Sequence, residues 1–383
     1  MPNIKITQAI SSKQNLGIEP APHLHAPMTT EKIMLITSAA LLPAFFCALY
    51  FFGCGIVWQL LLITATAGAC EIISAYLRRR SIFYGISDMS FVVTSLIMAL
   101  TLPPLLPWYY TVAATAFAML ISKAAFGGLG MNIFNPAMVG FIFILVSLPE
   151  PMTKSWISPA PGAISVATIQ TTKDIIFNNV SAENVRIAVK SLNADVKAQA
   201  ENQPDNKYQA DGITGATYLE SLNQATDNIL DVVERSSFSK DSFKAYVVMG
   251  IAYLLGGIIL LIFKITIVRM VIAYFTAILL FSYIGHFFYP DVFCSTPEQL
   301  LLGGTMLCGF FIITDPVTNA GTAKGRIVFA TYVAFLIVLI RGLGSYSDSV
   351  AFAVLLGNST APLIDVLTHR RPFGVGYKKG GLD

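Results

Sequence analysis

Charge is what this sequence has least of: only 12% of its 383 residues are Asp, Glu, Lys or Arg, while 55% are hydrophobic and the mean hydropathy is +0.65. That balance points to a polytopic membrane protein. Basic runs are equally scarce. Beyond Arg78-Arg79-Arg80 there is no basic tract, and a net charge of +3 gives no footing for nucleic acid. Cysteine is limited to Cys47, Cys54, Cys70, Cys294 and Cys308, scattered singly with no C-x-x-C pair. They read as small hydrophobes; isolated thiolates would serve an iron–sulfur cluster only if partner chains supplied its other ligands. A cleavage site is also missing. Residues 1–31 are polar, with Pro20, Pro22 and Pro27, and the long apolar run that follows has no small-residue cleavage pattern, so no removed signal peptide is predicted.

What the sequence does have is apolar runs, and a membrane crossing takes about 20 mostly apolar residues. They fall at 33–52, 55–77, 88–103, 108–125, 136–150, 244–263, 267–286, 298–315, 326–340 and 348–367. The prediction is an all-α protein of ten transmembrane helices, five on each side of a long polar interval. Its parts are an N-terminal tail (1–31), a first membrane half (32–150), the polar segment (151–243), a second half (244–368) and a C-terminal tail (369–383). With the N-terminus inside, short inside loops carry Arg78, Arg79, Arg80, Lys123, Lys264, Arg269, Lys324 and Arg326, and the tail adds Arg370, Arg371, Lys378 and Lys379. Short outside loops carry only Arg341. By the positive-inside rule both termini are cytoplasmic and 151–243 lies outside, in the periplasm of a bacterial inner-membrane protein.

The halves share a grammar. Leu100-Thr101-Leu102-Pro103 ends the third run and Gly128-Leu129-Gly130 precedes the fifth; Ile313-Thr314-Asp315-Pro316 and Gly342-Leu343-Gly344 do the same in the second half. An odd number of crossings per half makes the copies inverted repeats, which commonly enclose a central site between interrupted helices. Pro103-Pro104, Asn135-Pro136 and Asp315-Pro316 are the expected interruptions, because proline lacks a donor and disfavours helix in the residue before it.

Within the polar segment lies Asp211-Gly212-Ile213-Thr214-Gly215-Ala216-Thr217, followed by Tyr218-Leu219-Glu220. On spacing alone Thr217 and Glu220 form a capping box, with Leu219, Leu222, Ile229 and Val232 as the apolar stripe of a helix over about 218–235. A hydroxyl at a helix N-terminus is also well placed for phosphate, since free N–H groups and the helix dipole favour negative charge there. No neighbouring histidine or cysteine would activate that hydroxyl, so loading it would need a dedicated transferase.

That motif, Gly127-Gly128-Leu129-Gly130-Met131-Asn132-Ile133-Phe134-Asn135-Pro136-Ala137-Met138, Phe311-Ile312-Ile313-Thr314-Asp315-Pro316-Val317-Thr318, Leu102-Pro103-Pro104-Leu105-Leu106-Pro107-Trp108 and Val350-Ala351-Phe352-Ala353-Val354-Leu355-Leu356 together resemble the D subunits of Rnf electron-transport complexes across 30–375. The B subunit of the sodium-translocating NADH:quinone reductase is a close relative and the nearest alternative. In that family Asp-x-x-(Ser/Thr)-Gly-Ala-Thr marks a threonine esterified to the phosphate of FMN. The resemblance therefore implies FMN on Thr217, with Asp211, Thr214, Gly215 and Ala216 completing the pattern read by a flavin transferase. It also implies a urea-transporter-like fold, room for a second, noncovalent flavin (riboflavin) between the halves, and partner subunits that couple electron transfer between ferredoxin and NAD to movement of Na⁺ or H⁺. As one subunit of a redox-driven translocase, the chain would have no turnover alone. A solute channel would suit the inverted repeat equally, and a structural scaffold would leave Thr217 a helix cap.

Ionisable residues within the runs are Glu71, Asp88 and Lys123 near the inner surface, Asp348 near the outer and Asp365 near the inner. Burying charge in lipid is costly enough to make each a candidate for a cation path. Snorkelling, or pairing with Arg78 and its neighbours, is the expected structural role.

Overall fold

The computed structural model describes residues 28–81, 87–157, 159–178, a few residues between 187 and 195, 231–290, 292–344 and 348–368, with side chains of 231–243 excepted. Among these the chain is helical and has no strand. The first half comprises α1 (Thr30–Phe52), α2 (Gly55–Leu77), α3 (Ser90–Thr101), α4 (Trp108–Phe117, continuing in π geometry over Ala118–Ala124), α5 (Pro136–Ser147) and α6 (Pro149–Lys154). A short α7 (Ile169–Lys173) follows. The second half has α8 (Asp231–Ile262), α9 (Val268–Phe288), α10 (Thr296–Leu301), α11 (Thr305–Leu307, with π geometry over Cys308–Ile312), α12 (Ala323–Leu343) and α13 (Val350–Thr368).

Local chemistry sets these boundaries. Thr29 caps α1 by accepting from the Lys32 N–H at 3.4 Å, and Gly53, at φ 76°, ends it by donating to the Leu49 carbonyl. Asn135 caps α5 through the Ala137 and Met138 N–H groups with Pro136 in the first turn, and Thr322 caps α12 through the Gly325 N–H at 2.9 Å. The three proline-marked interruptions appear as expected: α3 stops at Thr101 ahead of Pro103, α5 starts at Pro136, and the π turn ends at Ile312 ahead of Asp315-Pro316.

Among the described residues α1, α2, α8, α9, α12 and α13 are long and apolar enough to cross a membrane; α3 and α5 are shorter apolar helices. Large apolar side chains such as Phe46, Leu61, Tyr76 and Leu280 point outward, as a bilayer-facing surface requires. One boundary differs from expectation. The helix that enters the second half begins by Asp231, so the change from polar to apolar composition at 243/244 falls inside a continuous α8. Composition marks where a helix enters lipid, whereas only capping and backbone geometry mark where it starts.

Packing of the halves centres on α1 and α8. A Cβ on Gly256 would lie 2.1 Å from the Ala40 carbonyl oxygen, and one on Gly257 would lie 2.2 Å from the Phe310 ring. Close backbone approach through small residues is the usual means of association where lipid removes the hydrophobic drive between helices. Gly256→Val should force α1 and α8 apart at a cost of about 1–3 kcal/mol or more, lowering the melting temperature of detergent-purified protein by several degrees. Gly68→Ala, whose nearest neighbour is Phe91 at 3.9 Å, should leave it unchanged; equal melting of the two variants would refute the close-contact reading.

Candidate functional site

The residues singled out by motif, Asp211, Thr214, Gly215, Ala216 and Thr217, lie outside the described residues, as does the Tyr218–Glu220 part of the capping box. The start of their segment is described, and it is fastened to the end of the bundle where α1 stops and α2 begins. Cys54 N–H donates to the Ala167 carbonyl at 2.8 Å, Ala160 N–H to Phe51 at 3.2 Å, and Trp58 Nε1 to Ile169 at 3.0 Å. Trp58 also meets Phe177 edge to face, and Leu105, Ile157, Ala163, Ala167 and Ile175 form a small core of their own. Gly53 is required here, because a Cβ would stand 2.3 Å from that of Ala167.

Beneath this cover, between the halves, is a cavity with ≈ 1250 Å³ of atom-free space, its open mouth counted. Its walls come from α1, the break after α3, α5, α6, α8, the break between α10 and α11, and the start of α13. Trp156, Tyr246, Tyr253 and Phe141 give aromatic surface, Met138, Met152 and Met249 adaptable apolar surface, and Thr101 and Thr153 hydroxyls. Asp348 is the sole ionisable carboxylate in the lining. Apolar and aromatic walls with a few polar groups are the usual lining of a small-molecule cleft. Met152 and Trp156 belong to the start of the polar segment and Tyr246 lies on α8 just after its end, so residues at both of its ends line the cavity.

Behind the wall lies Arg341, 1% exposed. Sequence alone assigns it to a short outside loop; it occupies the last turn of α12, with its guanidinium inside the protein. Nη1 donates to the carbonyl and Oε1 of Gln299, both at 2.9 Å, and Nη2 to Thr305 Oγ1 at 3.1 Å and the Leu302 carbonyl at 3.4 Å. These bonds satisfy the backbone where α10 gives way to α11 at Leu302-Gly303-Gly304, and Gly303 takes φ 62°. A window of apolar residues cannot reveal this, since the need for a buried cation arises only from the break it faces. Asp348 accepts from the Val350 N–H at 3.3 Å. Burial raises its carboxyl above the usual range, opposed by the Arg341 charge and that N–H.

In the first half, a neutral side chain does the corresponding work. Gln59 Nε2 donates to the Leu106 carbonyl at 2.7 Å and the Pro104 carbonyl at 3.3 Å, while its Oε1 accepts from Thr111 Oγ1 at 2.6 Å. At the opposite end of the bundle, Lys123 on the π turn of α4 pairs with Glu71 and donates to Ser90 Oγ at 2.6 Å; Ser90 in turn donates to Asp88 at 2.7 Å. Glu71 is thus paired, as its depth requires, but not with the expected Arg78, which instead donates to the Ala124 and Gly127 carbonyls. Asp365 receives the Gly321 and Thr322 N–H groups. Between these ends Asn358, oriented by its neighbours, donates to the Thr318 carbonyl at 3.0 Å and accepts from the Asn135 N–H at 3.1 Å, joining the interrupted segments of the two halves. The cysteines form no disulfide, Cys54, Cys70 and Cys308 being buried and Cys47 and Cys294 half-buried, and no metal-holding group of His, Cys, Asp and Glu occurs among the described residues.

Lys123 and Glu71 are buried together, so Lys123→Met should destabilise by about 3–5 kcal/mol by stranding a carboxylate. Adding Glu71→Gln should recover most of the loss. Thermal unfolding of the single and double variants checks this, and simple additivity would mean the pair is not coupled.

The sequence pattern of the NQR2, RnfD, RnfE family matches residues 17–374. Among similar proteins is the D subunit of the ion-translocating oxidoreductase complex of Tolumonas auensis, 35% identical over 364 residues, covering 94% of this chain and 99% of that protein. The protein of the same name from Escherichia coli O127:H6 is 35% identical over 367 residues, 95% of this chain and 99% of the relative. That from Shewanella frigidimarina is 36% identical over 364 residues, 93% and 97% of the two chains.

Proposed function

The chain belongs to the NQR2, RnfD, RnfE family, and on that premise we propose that it is the D-type membrane subunit of a redox-driven ion-translocating complex, carrying FMN through a phosphoester on Thr217. The observation that carries the flavin is the Asp211–Thr217 motif, complete at Asp211, Thr214, Gly215, Ala216 and Thr217. When bound, FMN supplies one- and two-electron chemistry, and the protein sets its position, its access to water and the charge around it. The residues able to do so at the cavity are Trp156, Tyr246 and Tyr253 as aromatic walls, Met138 and Met249 as water-excluding surface, and Thr101, Thr153 and Asp348 as polar contacts. The same reading includes a second, noncovalent flavin between the halves. Electrons pass between partner subunits through the chain while the complex, linked to ferredoxin and NAD, moves Na⁺ or H⁺. The membrane parts are ten crossings arranged as two inverted repeats of five, with the polar segment outside in the periplasm and both termini in the cytoplasm of a bacterial inner-membrane protein.

Element positions favour that repeat. Gly55 and Val268, Trp108 and Ala323, and Pro136 and Val350 begin equivalent helices at a nearly constant interval. A left-handed residue, Met89 in one half and Gly303 in the other, precedes the stretch that ends at Thr101-Leu102-Pro103 or Thr314-Asp315-Pro316. The burial of Arg341 supports that orientation, because it removes the only basic residue that the sequence assigns to a short outside loop.

Peptide mass spectrometry on chain expressed with a flavin transferase should find the FMN mass on the peptide holding Thr217. Thr217→Ala should remove that mass and the covalent yellow fluorescence in denaturing gels. An unmodified wild-type peptide from cells that flavinylate a related protein would return Thr217 to the role of helix cap.

A further inference from the structure

α9 and α12 pack side by side and run in the same direction. Phe281 meets Phe335 edge to face at matching depth in each helix, and Asn319 Nδ2, just ahead of α12, lies 3.8 Å from Met270 Sδ in the first turn of α9. Both helices therefore begin at the same end, and both place a base where the helix dipole disfavours one. Arg269 lies in the first turn of α9, Lys324 and Arg326 in that of α12, and neither turn holds an acidic residue. Lys264, in the turn leading into α9, takes φ 56°, a conformation that glycine adopts with less strain.

Lys264, Arg269 and Lys324 are exposed, and none forms an ion pair among the described residues, whereas Arg326 donates to the Ala320 carbonyl at 3.0 Å. The carboxylate packed against the start of α12, Asp365, accepts from the Gly321 and Thr322 N–H groups at 2.9 and 3.1 Å. Between Lys264 and Arg269, Thr266 is 6% exposed yet has no hydrogen-bond partner among the described residues, and α9 has no side-chain cap. Next to these bases the surface turns apolar: Ile262, Phe263, Val268, Ile272, Ile327 and Val328 are all exposed.

We propose that the starting ends of α9 and α12, with the turn before α9, hold an anionic phospholipid, its phosphodiester among Lys264, Arg269 and Lys324 and its acyl chains along the neighbouring apolar faces. A free phosphate would leave those faces unused, and so would an acidic soluble segment; a phospholipid carries both chemistries in one molecule. Its negative charge also answers the positive ends of two parallel helix dipoles. In the proposed orientation this lipid belongs to the cytoplasmic leaflet. Its binding chemistry does not depend on the flavin, so failure of either reading leaves the other standing.

The test titrates the full chain, purified in detergent, with palmitoyl-oleoyl phosphatidylglycerol and with phosphatidylcholine of the same acyl chains, counting bound lipid by native mass spectrometry. Wild type should bind the anionic lipid roughly tenfold more tightly, with the preference falling as salt is raised. The triple variant Lys264→Gln, Arg269→Gln, Lys324→Gln should lose the preference while keeping the wild-type melting temperature in lipid-free detergent. Lys154→Gln, which removes an exposed base paired with Glu150 in the polar segment, should retain it. Equal affinity of wild type for the two lipids, or an undiminished preference in the triple variant, would overturn the site. Displacement of the lipid by an equal concentration of inorganic phosphate would overturn it too, reducing it to a simple anion site. A wild type without lipid preference, whose triple variant loses its partner subunits on purification, would assign the surface to an acidic protein instead.

Discussion

A backbone that interrupts its own helices inside hydrocarbon must find its hydrogen-bond partners within the protein, because lipid offers none. This chain interrupts helices in both halves, and its buried polar side chains are arranged around those interruptions. Gln59 and Thr111 serve the break after α3, Arg341, Gln299 and Thr305 the break between α10 and α11, and Asn135 and Asn358 the two segments that meet in the middle. Arg78 does the same for the Ala124 and Gly127 carbonyls where α4 ends in its π turn. Each is a polar group that would be costly to bury unpaired. Together they make interrupted helices possible, and the interruptions in turn make room for a cavity in the interface between the halves.

Much of this was legible because proline and apolar run length report directly on backbone donors and on hydrocarbon thickness. The run over 55–77 coincides with α2, and the predicted breaks at Pro103, Pro136 and Asp315-Pro316 all appear. The partners of those breaks were not legible. Arg341 reads in sequence as the edge of an apolar run, and Gln299 as one polar residue beside Glu298; only folding shows that they face the same bare carbonyls. The Lys123–Glu71 pair illustrates the same limit, since charge and depth announce that Glu71 needs a partner but Arg78 and Lys123 satisfy that description equally. The cavity lining escaped for a related reason, because Trp156, Tyr246 and Asp348 are distant in sequence and none belongs to a motif.

The two halves solve the same backbone problem with different charge. In the first, Gln59 is neutral and needs nothing further. In the second, a guanidinium does the work, and a buried cation brings a demand that a neutral amide does not: its charge must be balanced within the protein or at large cost in solvation. Asp348 is the carboxylate whose electrostatic interaction with Arg341 answers that demand, and it lies in the cavity wall instead of against the guanidinium. The guanidinium is thus held by four hydrogen bonds at the break between α10 and α11, while the carboxyl lies in the cavity wall. The difference between Gln59 and Arg341 is thus matched in the cavity lining, whose one carboxyl, Asp348, comes from the second half.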